Sequence, residues 1–297
     1  MKKIKFKGER TRSTLIISAA LILFLLSIFF DFRLGYTFMV AAVSPLATYE
    51  LMHACSVKSP LLYAVACATS AFSAFYVSYD IPLRAVGVFV SFYALTLLFL
   101  AVILNREIKY VDSVVTLFAS VAIPYSFTCF IRLNDIEKLA PGELSHHEGV
   151  FLVMLAFSCS WLTDVFAFLV GRKIGKHKMT PNISPKKSFE GAIFGTLITA
   201  AINVLLLFCF SFGTGKLGYH AFFGESPMKY LYIIPISFVL SIVSMFGDLA
   251  ASVLKRNVGI KDYSNLLPGH GGIMDRFDST LFVLPVLYGI YVLIYGK

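Results

Sequence analysis

Charge is what this chain has least of. Only 14% of its 297 residues are Asp, Glu, Lys or Arg, against 58% hydrophobic, whereas a soluble globular domain carries about a quarter charged residues. That scarcity excludes a soluble globular enzyme. With no soluble basic domain to carry it, nucleic acid is excluded as a partner too. Cysteine is sparse and scattered. Cys55, Cys67, Cys129, Cys159 and Cys209 contain no C-x-x-C pair, and each lies in or beside an apolar run, where cysteine acts as a small hydrophobe. A small-x-small cleavage signal is also missing after the first apolar run, Leu15 to Phe30. The basic stretch before it is therefore expected to lead an uncleaved first span.

What remains is hydrocarbon. A membrane span needs about 20 mainly apolar residues, and nine runs qualify: Thr14–Phe30, Tyr36–His53, Pro60–Tyr79, Pro82–Leu104, Val111–Ile131, Gly149–Val170, Gly191–Ser211, Met228–Ala250 and Thr280–Ile294. The expected fold is an all-α polytopic integral membrane protein with about nine transmembrane helices. It reads as a single membrane domain over 1–297, with N-terminal packing helices in 1–148 and the chemistry in 149–297. Placing the N-terminus in the cytoplasm puts 19 of the 26 Lys and Arg on the cytoplasmic side, as the positive-inside bias requires. The net charge of +9 then points first to anionic lipid headgroups.

Two polar stretches break the apolar pattern, and a dense cluster of charge at a membrane marks function by default. In the first, Asp164 precedes Gly171-Arg172, Gly175-Lys176, Ser184-Pro185-Lys186-Lys187 and Glu190-Gly191. Its basic run is a solvated inside-positive loop or a grip on phosphate. Gly191 and Gly195 form a G-x-x-x-G close-packing face, suited to a homodimer or to internal packing. In the second stretch, Asp248, Ser252, Lys255 and Arg256 recur at helical spacing on one stripe, and Gly259 is a plausible helix stop. A loop with Gly269, Gly271 and Gly272 could bring backbone N–H groups close to an anion. Asp275 and Asp278, three apart, would share a helix face. Two carboxylates completed by substrate phosphates are a usual way to hold Mg²⁺. His270, between glycines, is a general base, a phosphate donor or a loop staple.

Ser252 through Asp278 resembles the hallmark segment of the CDP-diacylglycerol synthases, the phosphatidate cytidylyltransferases. The likeness rests on Ser252, Lys255-Arg256, Lys261-Asp262, His270-Gly271-Gly272, Asp275-Arg276 and Asp278. The earlier stretch is similar too, in Asp164, Ala167, Gly171-Arg172, Gly175-Lys176, Ser184 through Lys187 and Glu190-Gly191. The chain departs from the pattern at Val165 and Phe168, where such proteins often carry hydroxyls, so neither is assigned a nucleotide contact.

The resemblance implies cytidylyl transfer from CTP to phosphatidic acid, giving CDP-diacylglycerol and pyrophosphate for phospholipid synthesis. It implies Mg²⁺ on Asp248, Asp275 and Asp278, with a second cation such as K⁺ left open. Lys255, Arg256, Lys261 and Arg276 would balance phosphate charge. Arg172, Lys176, Ser184, Lys186 and Lys187 would grip the triphosphate or the lipid phosphate. Asp164, Ser252, His270, Gly271 and Gly272 would complete substrate binding. A bacterial inner membrane with the site facing the cytoplasm is the expected setting. A CTP-dependent lipid kinase would use similar parts but leave CDP as its soluble product. A transporter would suit nine spans, but no matched pair of broken helices supports it.

Overall fold

The computed structural model describes residues 18–79, 81–216, 229–267 and 271–295. Helices dominate: α1 (Ser18–Phe29), α2 (Arg33–Ala54), α3 (Pro60–Ser78), α4 (Leu83–Ile103), α5 (Tyr110–Asn134), α6 (His146–Phe157), α7 (Thr163–Ile174), α8 (Phe189–Lys216), α9 (Lys229–Asn257), α10 (Met274–Phe277) and α11 (Thr280–Tyr295). Each expected span overlaps a helix, with Gly149–Val170 divided among α6, a π turn and α7, but α2 is not among the helices long and apolar enough to cross a membrane. Among the described residues, six helices are long and apolar enough to cross a membrane, while α1 and α11 are shorter apolar helices. The chain is an all-α polytopic membrane protein with one local exception. Strands β1 (Lys178–Thr180) and β2 (Ser184–Ser188) form a small antiparallel hairpin inside the basic stretch.

The chain divides into two compact units. The first comprises 1–131 and 257–277, so most of the hallmark segment belongs with the N-terminal helices. Apolar packing alone gives TM helices little specificity, because lipid is as apolar as leucine, so small residues and hydroxyls supply it. Ser70 Oγ on α3 lies 2.8 Å from Ser44 Oγ and 3.0 Å from Thr48 Oγ1, both on α2. Thr48 also donates to the Ala119 carbonyl of α5 at 3.2 Å. On α5, Phe127 meets Phe277, at the end of α10, edge-on with ring centroids 5.3 Å apart.

The second unit comprises 132–256 and 278–297. A π-helical turn at Ser158–Leu162 joins α6 to α7. The extra residue of such a turn rotates the next helical segment by about 100°, and Asp164 is the second residue after it. Buried polar groups fix this turn. Asn203 Nδ2 of α8 donates to Ser237 Oγ of α9 at 3.0 Å, Asn203 Oδ1 accepts from Ser158, and Thr163 Oγ1 donates to Ser241 Oγ at 2.9 Å. The G-x-x-x-G is consumed here. A Cβ on Gly191 would stand 2.4 Å from the Ala167 carbonyl, and one on Gly195 would stand 2.7 Å from the Ala167 amide. That face packs α8 against α7 within the chain.

Candidate active site

In the second unit, side chains from four elements converge. Asp164 on α7 accepts a hydrogen bond from Ser279 Oγ at 2.9 Å. Ser279 Oγ also lies 3.3 Å from Asp278 Oδ1, which accepts from the Ser279 amide at 2.8 Å. These local bonds compete with helix formation. The chain accordingly turns at Asp278 and Ser279 between α10 and α11, so the continuous helix expected to carry Asp275 and Asp278 on one face is interrupted.

Lys187 on β2 reaches the Asp248 carboxylate of α9 at 2.6 Å. One turn on, Ser252 Oγ lies 3.5 Å from Asp248 Oδ1. Lys255 points its ammonium at Asp278 from 3.9 Å. Asp164 is within electrostatic reach of Lys187 and Asp248. Among the described residues, Lys187 and Lys255 thus lie against the carboxylates of Asp164, Asp248 and Asp278. Burial pushes the Asp278 carboxyl up to about 7, and nearby Asp248 adds to the shift, against the pull of Lys255 and the Ser279 amide.

The hairpin sorts the basic residues. Neighbouring residues of a strand point to opposite sides. Lys186 is exposed, while Lys187 turns into the acidic cluster. Arg172, Lys173 and Lys176 stay exposed at the end of α7, and Ser184 pairs with Thr180 in the hairpin. The root of the hairpin is tied to α8, because both oxygens of Glu190 accept from the His177 amide, at 3.1 and 3.2 Å. Gly171 and Gly175 leave room for Ser188, whose Oγ would lie 2.7 and 2.3 Å from a Cβ at those positions. Val165 and Phe168 are 50% and 49% exposed on α7.

In the first unit, Gly259 follows α9 at φ +73, and Gly271 adopts φ +80, a region open mainly to glycine. Asp275 Oδ2 accepts from the Tyr263 amide at 2.8 Å and the Gly272 amide at 3.0 Å. The amides of Ile273 and Met274 are taken by Glu50 of α2, at 3.0 and 2.8 Å. The amides of Gly272, Ile273 and Met274 are therefore held by the protein's own carboxylates. Lys261 and Arg276 are exposed, and Arg256 is exposed at the end of α9. His270 lies outside the described residues.

Sequence reasoning missed two residues. Ser279 carries no signal beyond standing next to Asp278. Glu50 did carry one, since an acid inside an apolar run demands a partner.

A sequence model of the Cytidylyltransferase family matches residues 10–294. The chain belongs to the Cytidylyltransferase family. Curated relatives agree with that placement. A phosphatidate cytidylyltransferase of Staphylococcus haemolyticus is 39% identical over 140 residues, covering 47% of this chain and 48% of the relative. One of Bacillus subtilis is 34% identical over 175 residues, covering 59% and 56%. One of Staphylococcus aureus strain N315 is 39% identical over 140 residues, covering 47% and 48%. The chain spans about half the length of the curated relatives it matches. The family match thus runs across the chain, and the likeness to these individual relatives covers 47% to 59% of it.

Proposed function

We propose that this cytidylyltransferase-family chain transfers a cytidylyl group from CTP to phosphatidic acid, releasing pyrophosphate and leaving CDP-diacylglycerol for phospholipid synthesis. The observation that carries the reading is the convergence of Asp164, Lys187, Asp248, Lys255 and Asp278. The reaction must join two anions, so their repulsion has to be offset by fixed positive charge and a cation. A phosphate oxygen of the lipid attacks the α-phosphorus in line. The new P–O bond forms as the bond to the β-phosphate oxygen breaks, and pyrophosphate leaves with that electron pair. The attacking oxygen is already an anion near neutral pH, so no strong general base is required.

The residues present fit a hard divalent cation. The donors are carboxylates and hydroxyls, the ligand types Mg²⁺ prefers. Among the described residues no group of three or more His, Cys, Asp and Glu side chains could hold a metal ion by itself. Waters or substrate phosphates would complete the shell, as is usual for Mg²⁺. Asp248 and Asp278 are the ligands of the second unit, and the resemblance adds Asp275. When bound, Mg²⁺ neutralises phosphate charge and polarises the phosphoryl group. Lys187 and Lys255 lie against the acids and would balance phosphate charge beside them. Lys261, Arg256 and Arg276 take phosphate contacts by the resemblance. Arg172, Lys176 and Lys186 suit the headgroup layer by their exposure, and the site faces the cytoplasm of a bacterial cell membrane.

The soluble product decides between the chemistries. With phosphatidic acid, CTP and Mg²⁺ in detergent micelles, pyrophosphate is expected in step with lipid product. CDP in its place would mean phosphoryl transfer and would overturn the reading.

A further inference from the structure

Glu50 lies near the end of α2, far in sequence from every motif. Its side chain is nevertheless almost sealed, with the residue 3% exposed. Oε1 accepts from Ser264 Oγ at 2.6 Å and from the Ile273 amide at 3.0 Å, while Oε2 accepts from the Met274 amide at 2.8 Å. Gly272 packs flat on the carboxylate, so that a Cβ there would stand 2.5 Å from both oxygens. Both ends of the 264–274 loop are thus gathered on one side chain. Tyr263, beside it, is buried, and Phe277, just beyond it, rests on Phe127. The contacts belong to one compact unit.

We infer that Glu50 is a positioning residue, by which helix α2 fixes the described flanks of the hallmark loop, 264–267 and 271–274. The loop carries Gly271 and Gly272 and leads into Asp275 and Arg276. Its buried backbone amides need acceptors, which the hydrophobic burial of Met274 does not supply. A carboxylate suits the task because it is acceptor-only and faces three donors. Glutamine does not replace it. Whichever oxygen becomes an NH₂ group is set donor-to-donor against a backbone N–H or the Ser264 hydroxyl. Aspartate keeps the charge but is one methylene short.

The inference rests on the cytidylyltransferase reading only for its kinetic consequence, so the test has two arms. In the first, amide hydrogen exchange is followed in the full chain in micelles without substrate, for wild type, Glu50→Gln and Gly272→Ala. Peptides covering 264–276 are expected to exchange at least about tenfold faster in both variants, since charged hydrogen bonds are lost, while peptides from α7 to α9 are unchanged. Gly272→Ala presses on the same carboxylate from the loop side, so it remains decisive if Glu50→Gln does not fold. Unaltered exchange in 264–276, or a change spread equally over all helices, overturns the inference.

In the second arm, kcat and KM for CTP are measured for the same proteins, for Glu50→Asp, and for Glu50→Asp combined with Gly272→Ala. The shorter acid vacates the space the new methyl needs, so the double variant is expected to be no worse than the poorer single one. Multiplicative losses in kcat/KM overturn the coupling. Wild type that transfers no cytidylyl group, with exchange behaving as expected, would instead sink the catalytic reading and leave the loop assignment standing.

Discussion

Asp278 separates a functional carboxylate from a structural one. Folding lifts its pKa from the ordinary range to about 7, so folding favours its protonated form. Its contribution to stability is fully present below the ordinary carboxylate range and is lost as pH rises through 7. The neutral isostere Asp278→Asn should therefore not lower the melting temperature of metal-free protein at pH 8. Its advantage over wild type should shrink as pH falls toward 4. Cytidylyl transfer should still fall at least about a hundredfold, and a lower melting temperature at pH 8 would contradict the account. The Lys187–Asp248 pair makes a different prediction. Both side chains are partly exposed, so breaking the pair with Lys187→Met should cost about 1–2 kcal/mol, less than for a fully buried pair. Adding Asp248→Asn should recover part of that loss in thermal unfolding, because the carboxylate left unpaired at 248 is then neutral. A double variant that loses the two effects in full addition would show that the pair is not coupled.

At the scale of the element, the tight contact of α7 with α8 sets where Asp164 stands. Gly191→Ala drives a methyl group against the Ala167 carbonyl and should destabilise the protein by about 1–3 kcal/mol, with loss of transfer. Gly87→Ala on α4 meets nothing within 4 Å and should leave both the melting temperature and turnover unchanged. Helices were the legible part of this chain, because an apolar run of span length has few other solutions. The β hairpin was not legible. Lys178–Thr180 and Ser184–Ser188 show no apolar alternation, and the hairpin is held by its root at His177 and Glu190 rather than by a hydrophobic face. The π turn before Asp164 left no trace either, since its side-chain partner Asn203 lies more than 40 residues away. The site was readable as residue types and spacing around Asp164, Asp248 and Asp278. Its connections were not, because Ser279 meets Asp164 across 115 positions and Glu50 meets Met274 across 224.

At the scale of the whole molecule, the excess of Lys and Arg on one side predicts a topology that labelling can check. In a background without native cysteines, Lys178→Cys on the hairpin should react with an impermeant maleimide only in inside-out vesicles, while Asp135→Cys, beyond the far end of α5, should react only in right-side-out ones. The reverse pattern would place the acidic cluster on the wrong face for CTP. The N-terminal helices also acquire a task. Within the first unit they contact the C-terminal part of the 257–277 segment through Glu50 and Phe127. The central claim remains cytidylyl transfer at the cluster of Asp164, Asp248 and Asp278. Its most direct test tracks α-phosphate-labelled CTP into lipid, with phosphatidic acid and Mg²⁺, for wild type and Asp278→Asn of matched stability. The account predicts label in CDP-diacylglycerol with wild type and at most about a hundredth as much with the variant; equal labelling by the two proteins, or none with folded wild type, would contradict it.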